Sequence, residues 1–115
     1  MTYGRDKVMM DALLVAYYLS RANHDGLERL GYDSFKEAYD DLGSILHRKP
    51  ATIKNMRDDF DPYFDNGRVG WYQRPLRPSR QEIFDQYADT SVDDLTEIVK
   101  NMLKSYRAAY EEDAG

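Results

Sequence analysis

The sequence predicts an all-α fold, a single compact domain of five or six helices. Apolar residues recur at helical spacing along most of the chain, Ser34 and Ser91 stand where helix starts need a cap, and prolines or glycines mark the breaks between the apolar stripes. A length of 115 residues supports one core and leaves no room for a second. No internal repeat or low-complexity linker divides it.

Asp6 to Arg21 reads as a helix with Val8, Ala12, Val15 and Leu19 on one face. Met9, Leu13, Leu14, Ala16, Tyr17 and Tyr18 carry the apolar surface nearly all round. Such a helix belongs at a domain centre or in a dimer interface. Asn23 to Gly31 follows as a short helical turn that Gly31 stops. Ser34 and Glu37 then have capping-box spacing and open a helix with Phe35, Ala38, Tyr39, Leu42, Ile45 and Leu46 facing inward. Gly43 in mid-helix costs about 1 kcal/mol against alanine, which implies close packing against a neighbouring helix.

A break at Arg48-Lys49-Pro50 separates that helix from another beginning near Pro50 or Ala51. Ile53, Met56 and Phe60 claim its inner face, so Thr52, Lys54, Asn55, Arg57 and Asp58 are expected to project outward. Asp61 closes it, because a residue before proline is pushed out of helical geometry. Asp65-Asn66-Gly67 signals a turn, and residues 66–80 form a basic loop. Ser79 and Glu82 repeat the capping-box spacing and open a helix with Ile83, Phe84 and Tyr87 inward. Ser91 caps the last helix, about 92–110, with Asp93 and Asp94 in its first turn, where the helix dipole favours negative charge. Its stripe is Leu95, Ile98, Val99, Met102, Leu103, Tyr106 and Tyr110, and a frayed tail is expected beyond it.

Composition narrows the function. Hydrophobic residues make up 42% and charged residues 32%, which suits a globular protein. With no cysteine there is no disulfide, thiolate metal site or thiol nucleophile. No apolar run is long enough for a membrane span and no signal-peptide pattern opens the chain, so a cytoplasmic location is expected. The net charge of -5 opposes nucleic-acid binding, yet it is unevenly distributed. His47 to Arg80 holds eight Lys/Arg against four acids, for a charge of +4, while the remainder carries -9. That block is a phosphate footprint if folding brings it to one face.

The run Leu46-His47-Arg48-Lys49-Pro50-Ala51-Thr52-Ile53-Lys54-Asn55 resembles the turn and second-helix start of bacterial helix-turn-helix DNA-binding domains. His47 stands where a turn glycine is usual, and Arg48 where a buried aliphatic is usual. The motif spans about 35–60. The longer string from Thr52 through FDPYFDNGRVGWYQRPLRPSR is similar to small helical domains beside or fused to bacterial restriction and defence proteins. That similarity supplies a context and no active site.

Within this stretch Arg48, Lys49, Arg74, Arg77 and Arg80 are expected to anchor phosphates, and Thr52 to touch one near the helix start. Lys54, Asn55 and Arg57 would reach the groove, with Asn55 and Arg57 reading base edges, since Asn pairs with adenine and Arg with guanine. The alternative for that face is a solvated surface salt-bridged to Asp58 or Asp59. In the loop, Arg68, Trp71, Tyr72, Arg74, Arg77 and Arg80 combine cations with an aromatic pair suited to phosphate, a minor groove or an unpaired base. Trp71 would serve equally as a core plug with Tyr72 supporting it.

Enzymatic readings lack parts. His24 and His47 have no second histidine at ligand spacing, and the acids Asp40, Asp41, Asp58, Asp59 and Asp61 read as surface and helix-end charge. No glycine-rich phosphate loop precedes a helix. No metal, cofactor or catalytic residue is expected. The reading is therefore a double-stranded DNA-binding module, a small regulator or the DNA-reading part of a restriction or phage-defence system. A two-fold homodimer would be compatible with it. The alternative is an acidic protein-interaction module, a phage-type inhibitor or DNA mimic that docks on a basic protein partner.

Overall fold

The computed structural model describes residues 3–64 and 76–114. Five α-helices follow one another, α1 (Tyr3–Arg29), α2 (Phe35–Leu46), α3 (Pro50–Phe60), α4 (Pro78–Tyr87) and α5 (Val92–Ala114), with a 3-10 turn at Asp61–Tyr63 after α3. The described residues contain no strand and no helix long and apolar enough to cross a membrane.

α1 is the element the others wrap around, in contact with α2, α3, α4 and α5. Every residue from Ala12 to Ser20 is buried, as its all-round apolar surface requires. The helix breaks at Asn23 (φ 55°, ψ -132°), which separates the long apolar segment from the short one expected after it. Gly31 (φ 88°) ends the second segment. The Gly31 N–H donates to the Glu28 carbonyl and the Tyr32 N–H to the Leu27 carbonyl, at 3.0 and 3.1 Å, satisfying two terminal carbonyls.

α2 starts as its sequence predicts, with the Glu37 N–H donating to Ser34 Oγ at 3.1 Å. A cap of this kind stabilises a helix by about 1 kcal/mol. At the other end His47 adopts the left-handed conformation (φ 55°), and the Arg48 N–H folds back onto the Gly43 carbonyl at 2.8 Å. Gly43 is needed here for a reason the sequence did not show. A Cβ on it would lie 2.5 Å from the Arg48 carbonyl oxygen and 3.3 Å from Pro50 N, so the close neighbour is the backbone of the following turn. His47, Arg48 and Lys49 are thus the whole connection between α2 and α3.

Aromatic packing fixes α4. Phe84 stacks on Phe64 at 5.5 Å and meets Tyr17 and Tyr63 edge-on at 5.8 and 5.7 Å, while Tyr17 also meets Phe60 at 5.4 Å. Each such pair contributes about 0.5–1.5 kcal/mol beyond its area. The start of α4 departs from expectation. Pro78 takes the first helical position, so Arg77 becomes the cap residue and Ser79 lies inside the helix, where its Oγ accepts from Arg80 instead of capping.

α5 docks on α1 through Leu95, Val99 and Leu103, all buried. Thr96 donates its hydroxyl to the Val92 carbonyl at 2.7 Å, which leaves Tyr18 OH as the donor in the buried 2.7 Å bond between Tyr18 and Thr96. Ser91 Oγ caps α5 by accepting from the Asp94 N–H. Two further ties reach back, Tyr106 OH to Asp11 and Arg107 to Asp41, each at 2.6 Å. Ile98, expected in the inward stripe, is instead 38% exposed, and the Tyr110 side chain lies outside the described ones.

Candidate nucleic-acid interface

Three apolar residues orient α3. Ile53, Met56 and Phe60 are buried against α1 and α2, which leaves Ala51, Lys54 and Asn55 exposed and Thr52 and Asp58 half-buried at the edge. Pro50 occupies the first helical position, where its missing N–H costs nothing, and Lys49 caps the helix through its carbonyl, which accepts from the Thr52 and Ile53 N–H groups at 2.9 and 3.4 Å.

Arg57 does not join that edge. Its side chain is only 15% exposed and turns inward, donating to Tyr39 OH and Asn23 Oδ1 at 3.0 Å each, with the guanidinium 3.9 Å above the Phe35 ring. Asp61 carries the opposite charge 3.9 Å away, too far for a hydrogen bond, and Arg57 Nε has no hydrogen-bond partner among the described residues. The expectation that Arg57 projects outward to read a base is therefore corrected. Position 57 lies one helical turn after Ile53, beside the buried stripe, and the aromatic faces of α2 hold the cation there. Asp61 is corrected with it, from surface charge to a buried carboxylate that accepts from Ser20 Oγ at 2.5 Å.

A cleft of about 440 Å³ opens between α3 and the start of α4, lined by Thr52, Asn55, Met56, Asp58, Asp59, Arg77 and Arg80. Folding thus gathers two arginines from beyond residue 76 beside the outward edge of α3. Phe84 of α4 packs on Tyr63 and Phe64, the residues just after α3, and so keeps α4 near its end. Arg77 is exposed and its side chain has no hydrogen-bond or ion-pair partner among the described residues, whereas Arg80 Nε donates to Asp59 at 3.2 Å and keeps only 13% of its side chain exposed.

Acids answer much of the positive charge. Lys54 pairs with Asp58 at 3.2 Å one helical turn along, as the solvated-face alternative required. Arg48 and Lys49 lie outside the cleft at the turn before α3, and neither has a carboxylate partner among the described residues. Arg48 Nη1 donates to the neighbouring His47 carbonyl. Arg68, Trp71, Tyr72 and Arg74, and with them most of the expected basic loop, lie outside the described residues.

No family model matches the chain, and neither a curated protein nor a solved structure is similar to it.

Proposed function

We propose that this chain is a double-stranded DNA-binding module of the helix-turn-helix kind, with α3 as the helix that enters the major groove. The observation that carries the reading is the cleft in which Thr52 and Asn55 of α3 meet Arg77 and Arg80 of α4. A helix edge suited to base contacts and cations suited to phosphate share one surface. A short turn held by Gly43 and an amphipathic α3 support it. In this reading Lys49, Arg77 and Arg48 contact phosphates directly, while Asp59 holds Arg80 back from one. Asn55 and Thr52 meet the groove floor and its edge. A small regulator and the DNA-reading part of a restriction or defence system are the two settings such a module fits.

Duplex binding titrated against salt tests the proposal. Three directly contacting cations predict a slope of log affinity against log salt near about -2.7, from roughly -0.9 per phosphate neutralised. Removing Lys49 and Arg77 together should bring it to about -0.9. Absence of duplex binding at low salt overturns the proposal.

A second reading has its own support. Asp58 and Asp59 neutralise Lys54 and Arg80, and the outer face of α2 presents Glu37 beside a shallow depression, with Asp40 paired to Lys36 and Asp41 to Arg107 at its rim. That pattern suits an acidic module docking on a basic protein. Binding to an immobilised basic protein, competed away by duplex-sized polyanions, with no binding to duplex itself, would favour it.

A further inference from the structure

We infer that the exposed edge of α3 selects adenine paired with thymine, with Asn55 as the specificity-determining residue. The inference rests on the proposal that α3 enters a duplex groove, and it follows from which side chains the fold leaves free. Arg57, the residue on α3 able to grip guanine with two parallel bonds, is spent on Tyr39, Asn23 and the Phe35 ring. Lys54 is tied to Asp58. Asn55 is exposed, and its amide has no partner among the described residues.

The carboxamide is a matched donor and acceptor pair, the complement of the N7 acceptor and N6 donor that adenine shows in the major groove. Ala51 and Thr52, four and three residues before Asn55, lie on the same side of the helix and bring two methyl groups to it. A methyl beside the amide is what the C5-methyl of thymine packs against. All three residues lie between the start of α3 and its midpoint, toward the end that reads base edges when a helix enters a groove by its N-terminus. No arginine shares the exposed edge, and Lys54, the other cation there able to reach guanine, is paired with Asp58 and lacks the two-pronged geometry that arginine brings.

Selection of bound duplexes from a random pool, with the intact chain and with Asn55→Ala, decides the matter. Asn55 is exposed on a helix, so the substitution leaves the fold in place. The expected result is an enriched adenine at one fixed position, preferred by about tenfold or more over guanine, a preference that Asn55→Ala removes while the salt slope stays the same. Duplexes enriched without such an adenine, or an adenine preference that survives Asn55→Ala, overturn this inference and leave DNA binding standing. If the intact chain retains no duplex at all, the DNA-binding proposal falls and this inference with it.

Discussion

Arg57 Nη2 on α3 donates to Oδ1 of Asn23, and Asn23 is the residue at which α1 breaks. The bond joins the setting of α3 to the one non-helical point of the central helix. Because the same guanidinium also reaches Tyr39 and covers Phe35, α1, α2 and α3 meet at a single side chain.

Truncating Arg57 to alanine removes its two hydrogen bonds and its contact with the Phe35 ring. The expected loss is about 3 kcal/mol, from hydrogen bonds of a charged donor and a desolvated cation–π contact, and a fall in melting temperature of roughly 10–20 °C. Thermal unfolding followed by circular dichroism reads it directly. A variant that melts with the parent would mean that Arg57 holds nothing together.

At residue 23 the backbone occupies a region that glycine enters without strain and other residues enter at a cost of about 1–3 kcal/mol. Asn23→Gly and Asn23→Ala both forfeit the bond to Arg57, so that loss cancels when the two are compared. Alanine should be the less stable by about 1 kcal/mol or more in urea titration, the reverse of their order inside an ordinary helix.

Gly43→Ala would gain about 1 kcal/mol of helix propensity in isolation. In the folded chain its new methyl meets backbone atoms of the turn, which no side-chain rotation can clear. A net destabilisation of about 1–3 kcal/mol is expected, with weakened duplex binding as α3 shifts against α2. Parallel unfolding and binding titrations would expose a gain in stability if the clash were not felt.

Asp59→Asn frees Arg80 from its carboxylate. If α3 and α4 present the DNA surface, affinity for duplex should rise several-fold, and the salt slope should steepen by about 0.9 as one more cation finds a phosphate. Unchanged affinity and slope would take Arg80 out of the phosphate contacts.

Acid sensitivity should trace to Asp41. Burial pushes its carboxyl upward, but hydrogen bonds from Arg107 and Tyr32 and the charge of Arg107 outweigh burial and hold it below the usual carboxylate range. Its contribution is therefore present above the unfolded value, about pH 4, and is lost as pH falls through the depressed folded value. Asp41→Asn, lacking that contribution, should lose less stability than the parent between about pH 5 and pH 2, measured by denaturant midpoints. Equal losses would show that the pair with Arg107 carries no pH dependence.

The helical architecture was legible because it is written in local signals. Ser34 and Ser91 cap where their spacing places them, and the apolar surface of Ala12 to Leu19 predicts the burial it has. The errors fall where a local signal competes with its surroundings. Ser79 has the spacing of a cap, but Pro78 is pre-organised for the first helical position and moves the start two residues earlier. Arg57 reads as an outward cation until Phe35 and Tyr39, donated by another helix, give it a polar and aromatic seat. Asp59 and Arg80 are distant in sequence, so their pairing could not be read from spacing, and it tempers the positive block that the linear sequence presents.

The buried bond between Tyr18 and Thr96 sets a limit on how the domain can move. Sliding α5 along α1 by one turn, about 5.4 Å, would strand a phenol hydroxyl in hydrocarbon, a penalty of roughly 1–3 kcal/mol with no water at hand to offset it. The C-terminal helix is accordingly latched in a single axial position. Rearrangement on meeting a ligand is steered away from this seam, toward the side of the bundle where the start of α4 is tied to α3 by the partly exposed pair of Arg80 and Asp59, a contact that water or a ligand can replace.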